Sequence, residues 1–176
     1  LVTGIDLPQA TVHALRAALD AALARFAAIA ADPARPRIVV FGCAPEGDTS
    51  TLARLADART AAIGVLCAAQ VPPSFVEFAL RSGADGVMVT GCRTGDCAFR
   101  LGDRWTTERI AAAREPHLRT AVARTRVRTA WVDRRDTRGL ADALTAFRAS
   151  LTAVSLADTP HVPPKRIGDG TAARPA

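Results

Sequence analysis

Four short apolar runs decide what this chain can fold into. They are Arg37-Ile-Val-Val-Phe-Gly42, Ala61-Ala-Ile-Gly-Val-Leu66, Asp85-Gly-Val-Met-Val-Thr90 and Val127-Arg-Thr-Ala-Trp-Val132. A continuous apolar run of strand length marks a strand covered on both faces. Stretches with helical spacing separate and follow these runs. Residues 48–59 have Asp48, Thr49 or Ser50 as a cap, with Leu52 and Leu55 inward. Residues 73–82 open on Pro73 or Ser74 and close on Ser82-Gly83. Residues 105–123 read as a helix that Pro116 must break or kink. Residues 137–153 carry Leu140, Leu144, Phe147 and Leu151 at 3–4 spacing. Buried strands alternating with helices predict an α/β chain built on a parallel sheet.

The simplest arrangement is a flavodoxin-like three-layer sandwich, an open sheet of four strands in the order 2-1-3-4. One extra helix precedes it, over residues 8–31. Asp6 can cap that helix, Pro8 suits its first turn, and Val12, Leu15, Leu19, Leu23, Phe26 and Ala30 form its apolar stripe. Asp32-Pro33 and Arg35-Pro36 stop it. The expected division is residues 1–35 as a helical appendage or linker from a preceding module, 36–153 as the α/β domain, and 154–176 as a flexible, Pro-rich tail. At 176 residues and 18.4 kDa the chain suits one domain with a tail. Its first residue is Leu1 rather than Met, which suggests a processed product or a piece of a longer protein.

The same reading places the four cysteines. Cys43 follows strand 1, Cys67 follows strand 2, Cys92 follows strand 3, and Cys97 lies in the next loop. All carboxyl ends of a parallel sheet lie on one edge. In the order 2-1-3 the three strands are neighbours, about 4.8 Å apart. Strands 1 and 3 also flank the point where an open α/β sheet leaves a crevice. Topology therefore gathers four thiols that are distant in sequence. A four-thiolate site holds zinc or an iron–sulfur cluster. No C-x2-C pair typical of structural zinc occurs, while Cys92 and Cys97 form a C-x4-C pair of the kind found in plant-type [2Fe–2S] loops. A thioredoxin-like dithiol lacks its C-x-x-C. Gly42, Gly91 and Gly95 stand beside the cysteines and are candidates for letting backbone N–H groups approach sulfur. Asp96 reads as a turn cap. His13, His117 and His161 are remote from the thiols and read as ordinary surface or core residues.

Charge narrows the partners. The chain is basic, with 23 Lys+Arg against 17 Asp+Glu and a net charge of +6. Residues 100–138 hold 11 arginines and 5 acids, so they account for the whole excess. This stretch could steer docking to an acidic flavoprotein or ferredoxin. Arg104, Arg109, Arg114, Arg119 and Arg124 recur every five residues, however, and so do not trace one helix face. With 6 Phe, 2 Trp and no binding motif, nucleic acid is not expected as a partner. A phosphate cradle over 42–50 is disfavoured by Glu46 and Asp48 and lacks G-K-[ST]. No apolar run reaches the roughly 20 residues of a membrane span, and no secretory signal is visible. The expected location is cytoplasmic, with no membrane insertion by this segment.

Ile38-Val-Val-Phe-Gly-Cys43, Leu66-Cys67, Gly83-Ala-Asp-Gly-Val-Met-Val-Thr-Gly-Cys92 and Gly95-Asp96-Cys97 resemble the iron–sulfur (delta) subunit of methyl-viologen-reducing hydrogenase. The resemblance covers about residues 36–152, and 83–97 is its specific part. It implies a [2Fe–2S] centre that passes electrons between a hydrogenase or other dehydrogenase and heterodisulfide reductase-type subunits, sometimes fused to ferredoxin-like or flavin modules. Glu46 stands where the family often carries a second cysteine. Thr94 and Ala98-Phe99 replace a Pro and a His-Tyr. The expectation is an electron-transfer module, not catalytic alone, with one [2Fe–2S] cluster on Cys43, Cys67, Cys92 and Cys97. A structural zinc domain that serves as an interaction scaffold is the alternative.

Overall fold

The computed structural model describes residues 11–44, 47–133 and 135–153. Expectations that rest on Asp6, Pro8, Glu46, His161 or the tail beyond 153 lie outside these residues. The chain runs α1 (Val12–Ala27), β1 (Ile38–Cys43), α2 (Ser50–Ala53), β2 (Thr60–Val65), α3 (Pro73–Arg81), β3 (Gly86–Gly91), α4 (Gly102–Ile110), β4 (Val127–Trp131) and α5 (Thr137–Ala153). Single 3-10 turns occur at Ala68–Gln70 and Arg124–Arg126.

The four strands form one parallel sheet in the order β2-β1-β3-β4. The continuous apolar runs explain β1 and β3, which are buried at every position. Alternation of side chains divides the core into two layers. Val39, Phe41, Ile63, Val65, Val87 and Val89 pack with Leu15, Leu19, Leu23 and Phe26 of α1 and with Val76 and Ala79 of α3. Ile38, Val40 and Met88 face the other way, against Leu52 and Leu55 and against Leu140, Leu144, Phe147 and Leu151 of α5. The result is the expected three-layer sandwich. Leu19 and Phe26 are fully buried, each worth about 2 kcal/mol of transfer free energy, so α1 is packed firmly on the sheet. The Thr11 hydroxyl caps it, accepting the Ala14 N–H at 2.9 Å.

Three helices are shorter than their spacing suggests, and the first, α1, ends at Ala27 rather than at 31. The helix expected over 48–59 is only the four residues of α2. Tighter turns follow it, and Asp57 then bridges antiparallel to Thr60 while its carboxylate accepts the Arg59 N–H. The helix expected over 105–123 starts earlier, at Gly102, and ends at Ile110, well before Pro116. Ala112 adopts φ 62, its N–H returns to the Arg109 carbonyl, and the Ala113 N–H returns to Glu108. That is a Schellman closure with alanine in the left-handed place usually held by glycine.

A polar staple holds the amino end of the sheet. The Asp85 carboxylate accepts the Arg37 main-chain N–H at 2.7 Å and its guanidinium at 3.0 and 3.2 Å. The Arg126 guanidinium donates to the Ala84 and Asp85 carbonyls at 2.7 and 2.9 Å. The carboxyl edge is thus left to the cysteines.

Candidate metal centre

Each cysteine sits where a strand hands over to a loop. Cys43 is the last residue of β1, Cys67 precedes the 3-10 turn after β2, and Cys92 follows β3 directly. Cys97 lies in the loop that leads to α4. None is in a disulfide; Cys43 is buried and the other three are half-buried. The Cys43 and Cys67 thiols are close enough to act on one another's proton, and Cys97 acts on Cys67 in the same way. Cys92 is close enough to Cys43 to act on its charge. Pairwise, the four thiols neighbour one another along this edge.

The contact between Cys43 and Cys67 divides their proton affinities. Cys43 is pushed far above the ordinary thiol range, first by its hydrogen bond to Cys67 and then by burial. Cys67 is lowered to about 6, chiefly because Cys43 donates to it, against the opposing effect of its own burial. The Ala69 amide and the Cys97 thiol add to that lowering, and the nearby Asp103 works against it.

Main-chain donors complete the surroundings. The Ala68 N–H donates to Cys43 Sγ at 3.1 Å, the Ala69 N–H to Cys67, and the Gly102 N–H to Cys97 Sγ at 3.3 Å. Two glycine faces line the sulfurs. A Cβ on Gly91 would lie 2.8 Å from Cys43 Sγ, and one on Gly102 would lie 2.3 Å from Cys67 Sγ and 3.0 Å from Cys97 Sγ. Of the glycines expected here, only Gly91 borders a thiol. Gly42 precedes Cys43 on the strand and so points to the opposite face, where a Cβ would meet Leu52 at 2.3 Å. Gly95 takes φ +91 with open space around its Cα, so its use is the turn itself. Asp96 is exposed, and its N–H closes a turn onto Arg93.

Sequence reasoning missed Gly102 and Arg109. Gly102 carried a signal, being the glycine that opens α4 five residues after Cys97. Arg109 carried none, since its role depends on a neighbouring loop. Its guanidinium reaches from α4 to the Ala69 carbonyl at 2.9 Å and so braces the turn that offers the Ala68 and Ala69 amides. Its Nε is buried with no partner among the described residues. Trp131, the register partner of Gly91, lays its ring 3.2 Å from where the Gly91 Cβ would be and donates to Thr107 at 3.1 Å. It covers the Cys43 side of the group.

Four thiols with amide donors are a soft set suited to zinc or to iron–sulfur chemistry. The close approach of sulfur to Gly91 and Gly102 fits a site made for sulfur rather than for side-chain packing. Among the described residues, no group of three or more His, Cys, Asp or Glu side chains is arranged to hold a single metal ion. His13 is exposed and His117 bonds Glu115 at 2.9 Å, both apart from the thiols. No described helix is long and apolar enough to cross a membrane.

The model of a family described as methyl-viologen-reducing hydrogenase, delta subunit, matches residues 38–155. An iron-sulfur subunit of the F420-non-reducing hydrogenase of Archaeoglobus profundus is 32% identical over 89 residues, 51% of this chain and 65% of that protein. One of the subunits of the ferredoxin:CoB-CoM heterodisulfide reductase of Methanosarcina mazei is 32% identical over 85 residues, 48% of this chain and 11% of that protein. The vhc iron-sulfur subunit of the F420-non-reducing hydrogenase of Methanococcus voltae is 31% identical over 70 residues, 40% of this chain and 49% of that protein. The chain spans less than two thirds of each of these relatives.

Proposed function

The chain belongs to the methyl-viologen-reducing hydrogenase delta-subunit family, and from that premise we propose that it is an electron-transfer module carrying one [2Fe–2S] cluster on Cys43, Cys67, Cys92 and Cys97. The observation that carries this reading is the convergence of four thiols from three strand ends on one edge, with sulfur seated against Gly91 and Gly102. It would relay electrons between redox subunits of a hydrogenase or heterodisulfide reductase-like complex, standing alone or as part of a fusion. Support for both forms comes from the relatives: the match covers 65% of one and only 11% of another, much larger protein. The proposal includes a cytoplasmic setting, where thiols remain reduced.

A cluster of this kind takes up and releases one electron when bound. The chain's own residues do the rest. The Ala68, Ala69 and Gly102 amides point at sulfur, and hydrogen bonds of this type raise a cluster's reduction potential. Arg109 keeps two of those amides in place through the Ala69 carbonyl. Trp131 limits water on the β4 side. The half-buried Cys92 and Cys97 leave the other side open for exchange with a partner.

Anaerobic preparation, analysis for iron, sulfide and zinc, and an EPR spectrum of the dithionite-reduced protein test the proposal. Equal amounts of iron and sulfide, lost on replacing any one of the four cysteines by serine, are expected. A colourless protein that binds zinc through the same thiols would overturn it.

A further inference from the structure

Two carboxylates are buried among the described residues, Glu77 and Asp103. The fold accounts for Glu77, which accepts the Arg119 N–H at 3.1 Å and stands 3.3 Å from the Arg119 guanidinium. Asp103 has no such partner. It lies in the first turn of α4 at 8% exposure. Among the described residues no ion pair or hydrogen bond reaches its carboxylate; its main-chain carbonyl accepts the Thr107 hydroxyl at 2.9 Å. The two arginines that follow it on α4 are engaged elsewhere. Arg104 pairs with Glu108 at 2.7 Å, and Arg109 reaches the Ala69 carbonyl at 2.9 Å.

Its place in the chain sets Asp103 beside sulfur. It follows Gly102, whose added Cβ would lie 2.3 Å from Cys67 Sγ and 3.0 Å from Cys97 Sγ. Consecutive Cα atoms are about 3.8 Å apart, which holds the Asp103 Cα within about 8 Å of Cys67 Sγ. Its negative charge reaches Cys67 and works against the thiolate there. Helix α4 meets the thiols with its amino end, where the Gly102 N–H donates to Cys97 Sγ at 3.3 Å. That end is the positive pole of the helix. With the Ala68 and Ala69 amides it favours added negative charge at sulfur, and an iron–sulfur group gains one negative charge on reduction. A buried carboxylate at this spot opposes the same step, and its low exposure leaves little water to screen it.

We propose that Asp103 is the residue that holds down the reduction potential of the cysteine-bound group, offsetting the amides and the Arg109 charge. The proposal rests on the electron-transfer reading above and adds to it the side chain that sets the driving force. Asp103 and Arg109 act on the thiols in opposite senses from one helix, and the carboxylate makes the reduced centre the stronger donor.

The test uses the full chain, loaded anaerobically, with potentiometric titration followed by EPR. Asp103→Asn removes the charge at nearly constant volume. It should favour the reduced form about tenfold, a positive midpoint shift of about 59 mV for a one-electron couple. Asp103→Glu keeps the charge and should recover most of the original midpoint. Asp96→Asn is the contrast: this carboxylate adjoins Cys97 but is exposed, so water screens it and the equilibrium should change less than about twofold. Iron content should match the unmodified chain in all three, which separates a charge effect from a misplaced cysteine. A midpoint in Asp103→Asn that stays put or moves negative, with iron retained, would overturn the proposal and leave the electron-transfer reading standing. A shift in Asp103→Glu as large as in Asp103→Asn would trace it to packing and overturn the proposal too. Should Asp103→Asn lose its iron, Asp103→Ser carries the same comparison; iron loss in both assigns Asp103 a structural duty and overturns its role in the potential. An unmodified chain that takes up no iron overturns this proposal together with the reading it rests on.

Discussion

A side chain on Gly102 would strike the sulfur of Cys67: its Cβ would lie 2.3 Å from Sγ. Helix α4 can begin against the thiols only because its first residue has no side chain. Gly102→Ala is therefore expected to displace Cys67 or Cys97 and to lower bound iron sharply. Gly95→Ala is the contrasting variant. It meets nothing within 4 Å, but its φ of +91 strains any side chain, at about 1 kcal/mol. It should lose stability in urea and keep its iron. Iron analysis of the two variants beside their unfolding curves checks the pair.

Thiol reactivity should divide by residue in the metal-free, reduced chain. The thiolate is the reacting form, and Cys67 is lowered to about 6. Its alkylation by iodoacetamide should rise as the pH passes about 6 and level off near neutrality. Cys43, buried and raised, should stay unlabelled across that range. Cys43→Ala removes the donor, so Cys67 should then keep gaining reactivity toward the usual thiol value near 8.5. Mass spectrometry of labelled peptides at several pH values reads this. Equal labelling of the two would contradict it.

Arg109→Leu should move the reduction midpoint in the negative direction. It frees the Ala69 carbonyl, loosens the amides that donate to Cys43 and Cys67, and removes a positive charge. Losing one hydrogen bond of about 1 kcal/mol corresponds to roughly 40 mV for a one-electron couple. Arg109→Lys should recover part of the shift. Potentiometric titration followed by EPR measures both.

Ala112→Gly should stabilise the protein by about 0.5–1 kcal/mol. Ala112 holds the left-handed position that ends α4, and glycine occupies it without a Cβ penalty. A higher urea midpoint with an unchanged slope is the expected result.

Asp85→Ala should be among the most damaging changes away from the cysteines. It leaves the Arg37 N–H and guanidinium without their acceptor, at a site where both side chains are mostly buried. A cost of about 3 kcal/mol follows from a broken, largely buried pair. Chemical denaturation checks it, and a loss below about 1 kcal/mol would show that the staple is dispensable.

The strands and their order were legible because buried parallel strands write themselves as unbroken apolar runs, as Ile38–Phe41 and Val87–Val89 do. From the order alone, Cys43, Cys67 and Cys92 fall on one edge. The glycines were less legible. Strand parity already sets the Gly42 face opposite that of the Cys43 side chain, against Leu52. The end of α4 was not legible, because Ala112 takes a glycine's conformation and nothing in Arg109-Ile-Ala-Ala-Ala announces it. Repeated arginines suggested an outward charge, whereas Arg109 and Arg126 satisfy carbonyls within the fold. Inward arginines are fixed by tertiary neighbours, which spacing does not record.

The placement of the thiols also has a consequence for how the molecule comes into being. The first crossover from β1 to β2 brings only Cys43 and Cys67 together; Cys92 and Cys97 join them once β3 has entered on the far side of β1. No fragment that ends before β3 owns the complete set. A cluster seated on all four thiols, as proposed, would therefore report that the central three strands have been laid down in their final order.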